Sequence, residues 1–349
     1  MAASTAAVPP SATSLRVLVD ASQLTGQSSF SGIGTYVRGL VDALQNVPTV
    51  SVQALATADA ALASSCHLRT VSRLFRSGRP AVYEHEVRRA VEVRLASCDV
   101  FHNPNPHAPR FPGGRWVQTL HDVIPLVVDD PVGAALKRRF ERFGPRYARA
   151  DRVVAVSRHA ADEGMRLLGL RAAQIEVIHH GVGAEFTPVP ESPVADPPYV
   201  AMVSEYSRRK GLAEALEVLD RLAEAGYPHR LRIAGRVPPW VQAEFQALLR
   251  QCRHPERVDV LGFVHDLPAF YRDATVQMVT SRYEGFGFPA IEAMACGTPV
   301  VAFANTSLPE VVADGGALVT DGDVPAFTAA VRALLDTPAN RLEARERAL

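Results

Sequence analysis

Two kinds of apolar pattern alternate along the chain. In the first half, Leu15–Val19, Val50–Leu55, Asp99–His102, Trp116–Leu120, Arg152–Val156 and Ile175–Val182 are short, nearly unbroken apolar runs. Such runs predict strands buried on both faces, as in parallel sheets. Between them apolar residues recur every three or four positions. Tyr36, Val37, Leu40, Val41 and Leu44 predict a helix after Gly34, and further helices are expected over 81–97 and from about Gly133 to Arg149. No element is assigned to 56–80.

The same alternation restarts in the second half. Strands are expected at Tyr199–Val203, Arg230–Ala234, Val258–Leu261, Thr275–Thr280, Val300–Phe303 and Ala317–Thr320, with helices over Gly211–Gly226, Pro238–Gln251 and Val324–Leu335. Asp266 is expected to cap the helix that follows it. Between the halves, Thr187–Pro198 carries prolines at 188, 190, 193, 197 and 198, which stiffen a linker towards extended chain. The pattern predicts an α/β protein of two doubly wound, Rossmann-like domains, 15–186 and 199–349, joined by the linker 187–198 and facing each other across a cleft. Residues 1–14 are small and polar, without a basic segment ahead of an apolar one, and read as a disordered tail rather than a signal peptide.

Composition changes this picture little. The chain has 349 residues, enough for two full cores. Lysine plus arginine equal aspartate plus glutamate at 37 each, so no global field draws nucleic acid. Cys66, Cys98, Cys252 and Cys296 are scattered, with no paired spacing; they read as reduced thiols of a cytoplasmic protein, not as disulfides or a zinc site. No apolar run approaches the roughly 20 residues that span a bilayer. In the helix 133–149, Lys137, Arg138, Arg139, Arg142, Arg146 and Arg149 interleave with Phe140, Phe143 and Tyr147. That pattern is a solvated face or a docking surface for anionic lipid at the inner membrane face, or for an acidic acceptor.

The candidate chemistry centres on residues 281–300. A short strand leads to a loop opened by Gly285 and Gly287, and Pro289 suits the first turn of a helix. Amides at such a helix start favour a phosphate-like anion. Glu284 and Glu292, separated by seven residues, bracket the loop. Acids on both sides of an amide-lined anion site suit a ligand with a charged middle and hydroxyls at each end, as in a sugar nucleotide. A strand, glycine loop and helix also occur without any ligand, and Glu292 would be a favourable first-turn acid in any case. The Gly-Phe-Gly-Phe-Pro run between the two acids, with Gly297-Thr-Pro-Val-Val-Ala302 after them, narrows the choice.

With those residues the stretch resembles the retaining glycosyltransferases of family 4, which share the two-domain GT-B fold. The resemblance implies that Glu284 contacts the donor sugar, that Glu292 binds the nucleotide ribose, and that Gly285, Phe286, Gly287 and Phe288 face sugar and diphosphate. It also implies that Arg209 and Lys210 bind the diphosphate, that His121 of His121-Asp-Val-Ile-Pro125 reaches the donor sugar, and that Gly262-Phe-Val264 meets the base. Ser204 and Gly235, at the ends of their strands, are counted with the same site. Gly32 and Gly34 are either a tight turn that caps a helix or a loop approaching the donor phosphates or acceptor. A dinucleotide fingerprint fails there, because its third glycine would fall at Val37. Asp122 could orient His121, although neighbours in extended chain point apart.

The chain departs from the pattern of the family it resembles at Ser204-Glu205, where a Gly-Arg or Gly-Thr pair is usual, and at Ser207, where proline is. An acid at 205 beside a diphosphate would be unfavourable unless turned away. Asp321-Gly-Asp323 looks like the Asp-x-Asp metal motif of the other major glycosyltransferase fold, but reads as a turn and helix cap. No metal or other cofactor is expected. Arg341–Leu349 looks like the start of a charged helix, where family members continue into a helix packed on the first domain. The implied activity moves a hexose from a nucleoside-diphosphate sugar, GDP-mannose first among candidates, to a glycan, glycolipid or small-molecule hydroxyl. An epimerase or phosphorylase on the same fold, or a non-catalytic GT-B subunit, are the alternatives.

Overall fold

The computed structural model describes residues 14–24, 31–56, 67–70, 97–106, 114–128, 133–189, 195–336 and 346. It divides into two compact units, residues 1–156 with 160–179, and residues 157–159 with 180–349. The expected tail 1–13, the loop 25–30, the helix over 81–97 except its last residue, much of the linker and nearly all of the C-terminal segment lie outside the described residues.

The first unit runs β1 (Leu15–Asp20), α1 (Gly32–Gln45), β2 (Val50–Ala56), β3 (His67–Thr70), β4 (Val100–Asn103), β5 (Arg115–Leu120), α2 (Ile124–Val127), α3 (Gly133–Phe143), β6 (Arg152–Ala155), α4 (Arg158–Leu168) and β7 (Ile175–Val177). Its seven strands form a parallel sheet in the order β3-β2-β1-β4-β5-β6-β7. Alternate residues of β1 feed opposite faces. Val17 and Val19 pack with Val37 and Val41 of α1, while Leu18 packs with Phe101, Trp116, Phe140 and Tyr147. Two covered faces explain why the strands are continuous apolar runs.

The second unit runs β8 (Tyr199–Val203), α5 (Leu212–Glu224), β9 (Arg230–Ala234), α6 (Gln242–Gln251), β10 (Val258–Gly262), α7 (Leu267–Arg272), β11 (Val276–Val279), α8 (Phe288–Ala295), β12 (Val300–Phe303), α9 (Leu308–Val312), β13 (Ala317–Val319) and α10 (Val324–Asp336). The sheet is again parallel, ordered β10-β9-β8-β11-β12-β13. Val301 and Phe303 of β12 pack with Leu216, Leu219, Phe245 and Phe327; Val300 and Ala302 pack with Ala290, Ala293 and Leu308. Each such fully buried Leu or Phe contributes about 1.5–3 kcal/mol. In both units strand order reverses beside the first strand, so β1/β4 and β8/β11 are the switch points where ligands of this architecture bind.

Several elements differ from the sequence expectation. The basic segment is not one α-helix: it ends at Phe143 and tightens into a 3-10 helix over Gly144–Arg149, since Pro145 lacks the N–H that would continue it. Its Phe140, Phe143 and Tyr147 are core residues, while Lys137, Arg138 and Arg142 are exposed. Pro239 likewise makes the start of the 238–251 segment a 3-10 turn, with α6 beginning at Gln242. β7 stops at Val177, and β3 stands where no element was assigned. Both expected caps are present, Asp266 accepting from the Ala269 amide and Asp323 from the Ala326 amide, each at 2.9 Å. No described helix is long and apolar enough to cross a membrane.

Candidate active site

In the second unit, the turn after β8 and the chain after β11 are joined backbone to backbone at the switch point. Arg208–Lys210 form one 3-10 turn closed by Gly211 at φ +70°. A Cβ on Gly211 would lie 1.9 Å from the Thr280 carbonyl oxygen. The Arg282 amide donates to the Arg209 carbonyl at 2.8 Å, and Thr280 Oγ1 to the Lys210 carbonyl at 3.1 Å. That seam delivers two cations to one carboxylate. Lys210 Nζ lies 2.5 Å from Glu284 Oε1; Arg209 Nη1 lies 3.1 Å from Glu284 Oε2 and donates to the Tyr283 carbonyl at 2.8 Å.

Glu284 is buried, which by itself would raise its pKa, but Lys210 and Arg209 more than offset this and hold it down to about 2. Two cations against one anion leave the cluster with a net positive charge. Arg208 and Glu205 are drawn elsewhere, Arg208 to Glu244 at 2.7 Å and Glu205 to Arg236 at 3.2 Å. The acid at 205 thus has its own counter-ion.

From Glu284 the chain passes through Gly285, Phe286 and Gly287, all buried, into α8. Gly287 is the N-cap at φ +107°, and no side chain caps this helix. The loop is braced by residues to which the sequence pattern gives no site role, Asn305, Thr306 and Ser307. Thr306 Oγ1 accepts from the Glu284 amide at 3.0 Å, and Ser307 Oγ bonds to the Glu284 and Phe286 carbonyls at 3.0 and 2.9 Å. Asn305 donates to the Ser281 carbonyl at 3.0 Å and to Asp321 at 2.8 Å. A polar run at the carboxyl end of an apolar strand was the available signal. Asp321 and Asp323 therefore each hold a protein partner.

Glu292 lies in the second turn of α8 and is buried against Tyr271, whose hydroxyl donates to Oε2 at 2.9 Å. Burial pushes its pKa up to about 7, and the charge of Glu185 adds to this, against the opposing Tyr271 hydrogen bond. Ser204, Gly235 and Gly262 tie the ends of β8, β9 and β10 together: the Ser204 amide donates to Ala234 at 2.9 Å and the Gly235 amide to Gly262 at 2.7 Å. Val264 packs its side chain beside Tyr199 and Phe270. Gly235 sits at φ +145°, with the Ser204 carbonyl oxygen 1.7 Å from where a Cβ would be. Gly235→Ala is therefore expected to destabilise the protein by at least about 2 kcal/mol. A melting temperature equal to that of the parent would show that the β8–β9 seam relaxes freely.

His121, Gly32 and Gly34 belong to the first unit. Gly32 and Gly34 form the first turn of α1, where Ser31 Oγ accepts from the Gly34 amide at 3.1 Å, so the capping-turn alternative describes their local geometry. His121 Nε2 bonds to the Pro104 carbonyl at 2.8 Å, and its ring meets Tyr36 edge-on at 5.2 Å. Since a carbonyl only accepts, Nε2 carries the proton. Burial lowers the His121 pKa, against the Pro104 bond and the charge of Asp122, and favours the neutral ring. Asp122 Oδ1 accepts from the Ile124 amide at 3.0 Å. Around His121 lies a buried polar network that the sequence did not single out. His102 Nε2 and Tyr36 OH meet Thr119 Oγ1 at 2.8 and 3.1 Å, and Asn103 Nδ2 donates to Gln118 Oε1 at 2.7 Å.

Known proteins match both units. Residues 30–186 match the profile described as Glycosyltransferase Family 4, and residues 185–349 that of Glycosyl transferases group 1. O-antigen chain mannosyltransferase B of Escherichia coli is 28% identical over 262 residues, 70% of this chain and 67% of that protein. D-inositol 3-phosphate glycosyltransferase 1 of Catenulispora acidiphila is 32% identical over 272 residues, 69% of this chain and 63% of that protein. Against the Mycobacterium tuberculosis glycogen synthase, 32% identical over 200 residues and 54% of this chain, the chain spans about half (47%) of the relative's length. Among solved structures, sucrose-phosphate synthase from Thermosynechococcus elongatus superposes with a TM-score of 0.75 at 22% identity, over 96% of this chain and 94% of that one. The Anabaena protein HepE, solved with UDP and glucose, gives 0.73 at 18% identity, over 96% and 93%. The two profile matches meet at residues 185–186 and together run from residue 30 to residue 349, over two parallel sheets whose first six strands follow the same order, and the chain belongs to the GT-B glycosyltransferases of family-4 type.

Proposed function

We propose that the protein transfers a hexose from a nucleoside-diphosphate sugar to a hydroxyl of a glycan, glycolipid or small-molecule acceptor, with retention at the anomeric carbon. The observation that carries this reading is the buried Glu284 held by Lys210 and Arg209 beside the uncapped start of α8, with Glu292 eight residues beyond. In the reaction the bond from the anomeric carbon to the diphosphate oxygen breaks, and that oxygen keeps both electrons. The acceptor oxygen bonds to the same carbon on the same face, and its proton passes to the departing phosphate. Negative charge grows on the leaving group, where preorganised cations and amides stabilise it most. Lys210, Arg209 and the α8 amides supply these groups, while Glu284 accepts hydrogen bonds from the sugar.

This reading needs no metal, because the two side-chain cations serve the diphosphate, and activity is expected to persist in EDTA. GDP-mannose is the first donor to test, in keeping with the mannosyltransferase match. The exposed Lys137, Arg138 and Arg142 suit an anionic surface around a glycolipid acceptor, by charge alone since the neighbouring aromatics are buried. A thermal-shift panel of sugar nucleotides followed by NMR of the product's anomeric centre tests the proposal. Stabilisation by a sugar nucleotide and a retained anomer are expected; inversion would refute it.

Glu292 makes a pH dependence. As a ligand of ribose hydroxyls it works as the carboxylate, and with its pKa raised to about 7 the protonated acid predominates below that pH. Nucleoside-diphosphate affinity is expected to weaken roughly tenfold per pH unit below about 7, and Glu292→Gln to remove that slope. Calorimetric titration from pH 5.5 to 8 checks it, and parallel profiles for parent and variant would exclude Glu292 as the titrating group.

A further inference from the structure

His180 is the first residue of the continuous part of the second unit, and its ring lies against the loop that leads into α8. It stacks on Phe288 with centroids 4.7 Å apart and planes 15° apart, and meets Phe286 edge-on at 4.8 Å. Phe286 and Phe288 meet each other at 5.8 Å, so the three rings form one cluster. These two phenylalanines alternate with Gly285 and Gly287, whose backbones have no side chain to restrict them. Phe288 opens α8, and the Phe286 carbonyl is already held by Ser307. The ring cluster is therefore what fixes the side-chain half of a loop that glycine would otherwise leave loose.

The same short segment reaches the other acid. Six residues after His180, Phe186 packs beside Tyr271 at 6.2 Å, and Tyr271 is the donor to Glu292. The charge of Glu185 acts on Glu292 as well. Residues 180–186 thus buttress the loop at the start of α8 and the carboxylate in its second turn.

We infer that His180 is a positioning residue of the donor site, acting through its ring contacts with Phe286 and Phe288 to hold the 285–288 amides in their binding geometry. The inference rests on the proposed function for the identity of the ligand, but its mechanical part does not. Stacked and edge-to-face aromatic pairs attract each other beyond the area they bury. His180→Ala is expected to weaken nucleoside-diphosphate binding and raise the donor KM roughly five- to fifty-fold, with a smaller change in kcat. His180→Phe, which keeps a flat ring, is expected to return both to within about threefold of the parent.

The experiment measures GDP and UDP affinity by calorimetry, donor KM and kcat, and amide hydrogen exchange of residues 285–291 without ligand, for parent, His180→Ala and His180→Phe. Faster exchange of that loop in the alanine variant, reversed by phenylalanine, supports the inference even if neither nucleotide binds the parent, an outcome that would count against the proposed donor instead. Parent-like exchange in His180→Ala would overturn the inference. So would a phenylalanine variant no better than alanine, because the polar atoms of the imidazole would then be what matters.

Discussion

Replacing Lys210 with alanine is expected to lower kcat at saturating donor at least about a hundredfold. In the proposed reaction the ammonium is one of two cations that stabilise the leaving diphosphate, and losing one such donor costs roughly 2.7–4 kcal/mol of transition-state stabilisation. A second effect follows from its resting partner. Lys210 Nζ sits 2.5 Å from Glu284 Oε1 with little solvent around either group. Removing it leaves a buried carboxylate on Arg209 alone, and breaking a buried pair in this way costs about 3–5 kcal/mol when no partner remains. With Arg209 still bound, the loss of stability should fall at or below the lower end. The Glu284 pKa should rise at the same time. Chemical denaturation separates this from the rate effect, and turnover matching the parent at saturating donor would remove Lys210 from the mechanism.

Glu284→Gln is expected to split binding from transfer. The amide keeps the shape of the side chain but no longer neutralises Lys210 and Arg209, so a free nucleoside diphosphate should bind at least as tightly as to the parent. Transfer should fall about ten- to a hundredfold, because a hydrogen bond from a sugar hydroxyl to a charged acceptor is worth about 1.5–3 kcal/mol. The variant should be less stable alone, and added nucleotide should raise its melting temperature more than that of the parent. Loss of nucleotide affinity together with transfer would contradict the arrangement.

The acid limb should change as well. A folded pKa depressed from 4.5 to about 2 contributes stability that is present above 4.5 and lost as the pH falls towards 2. The contribution is roughly 3 kcal/mol, and in the Gln variant that part of the pH profile should be flat.

Most of the second unit's site was legible because its chemistry is local in sequence. Glycines 285 and 287, Pro289 and the two acids lie within one strand–loop–helix unit, and the parallel-sheet pattern placed Arg209 and Lys210 at the neighbouring strand end. What could not be read was the pairing across those ends. Nothing in the order of residues showed that both cations rest on Glu284, that Arg208 turns to Glu244, or that Asn305, Thr306 and Ser307 brace the loop from more than twenty positions away. These partners are neighbours only through the pairing of β8 with β9 and β11 and of β11 with β12. In the first unit His121 was found from its place at the end of β5, but the network of His102, Asn103, Gln118 and Thr119 around it was not. Its members are single polar residues inside apolar runs, where alternation marks them merely as facing one side or the other. Local helix ends were misjudged at Pro145 and Pro239, where a continuous apolar rhythm hid the break in hydrogen bonding.

The seam between the turn at 207–211 and the chain at 280–284 bears on how this enzyme could be recombined with its relatives. Gly211 leaves no room for a Cβ beneath the Thr280 carbonyl, and the Arg209 and Lys210 carbonyls accept hydrogen bonds from the Arg282 amide and the Thr280 hydroxyl. Neither segment is a self-sufficient cassette. A chimera that imports a foreign stretch at one of them while keeping the native stretch at the other should assemble poorly, whereas one that exchanges both together should retain its folding and carry the donor's preference with it.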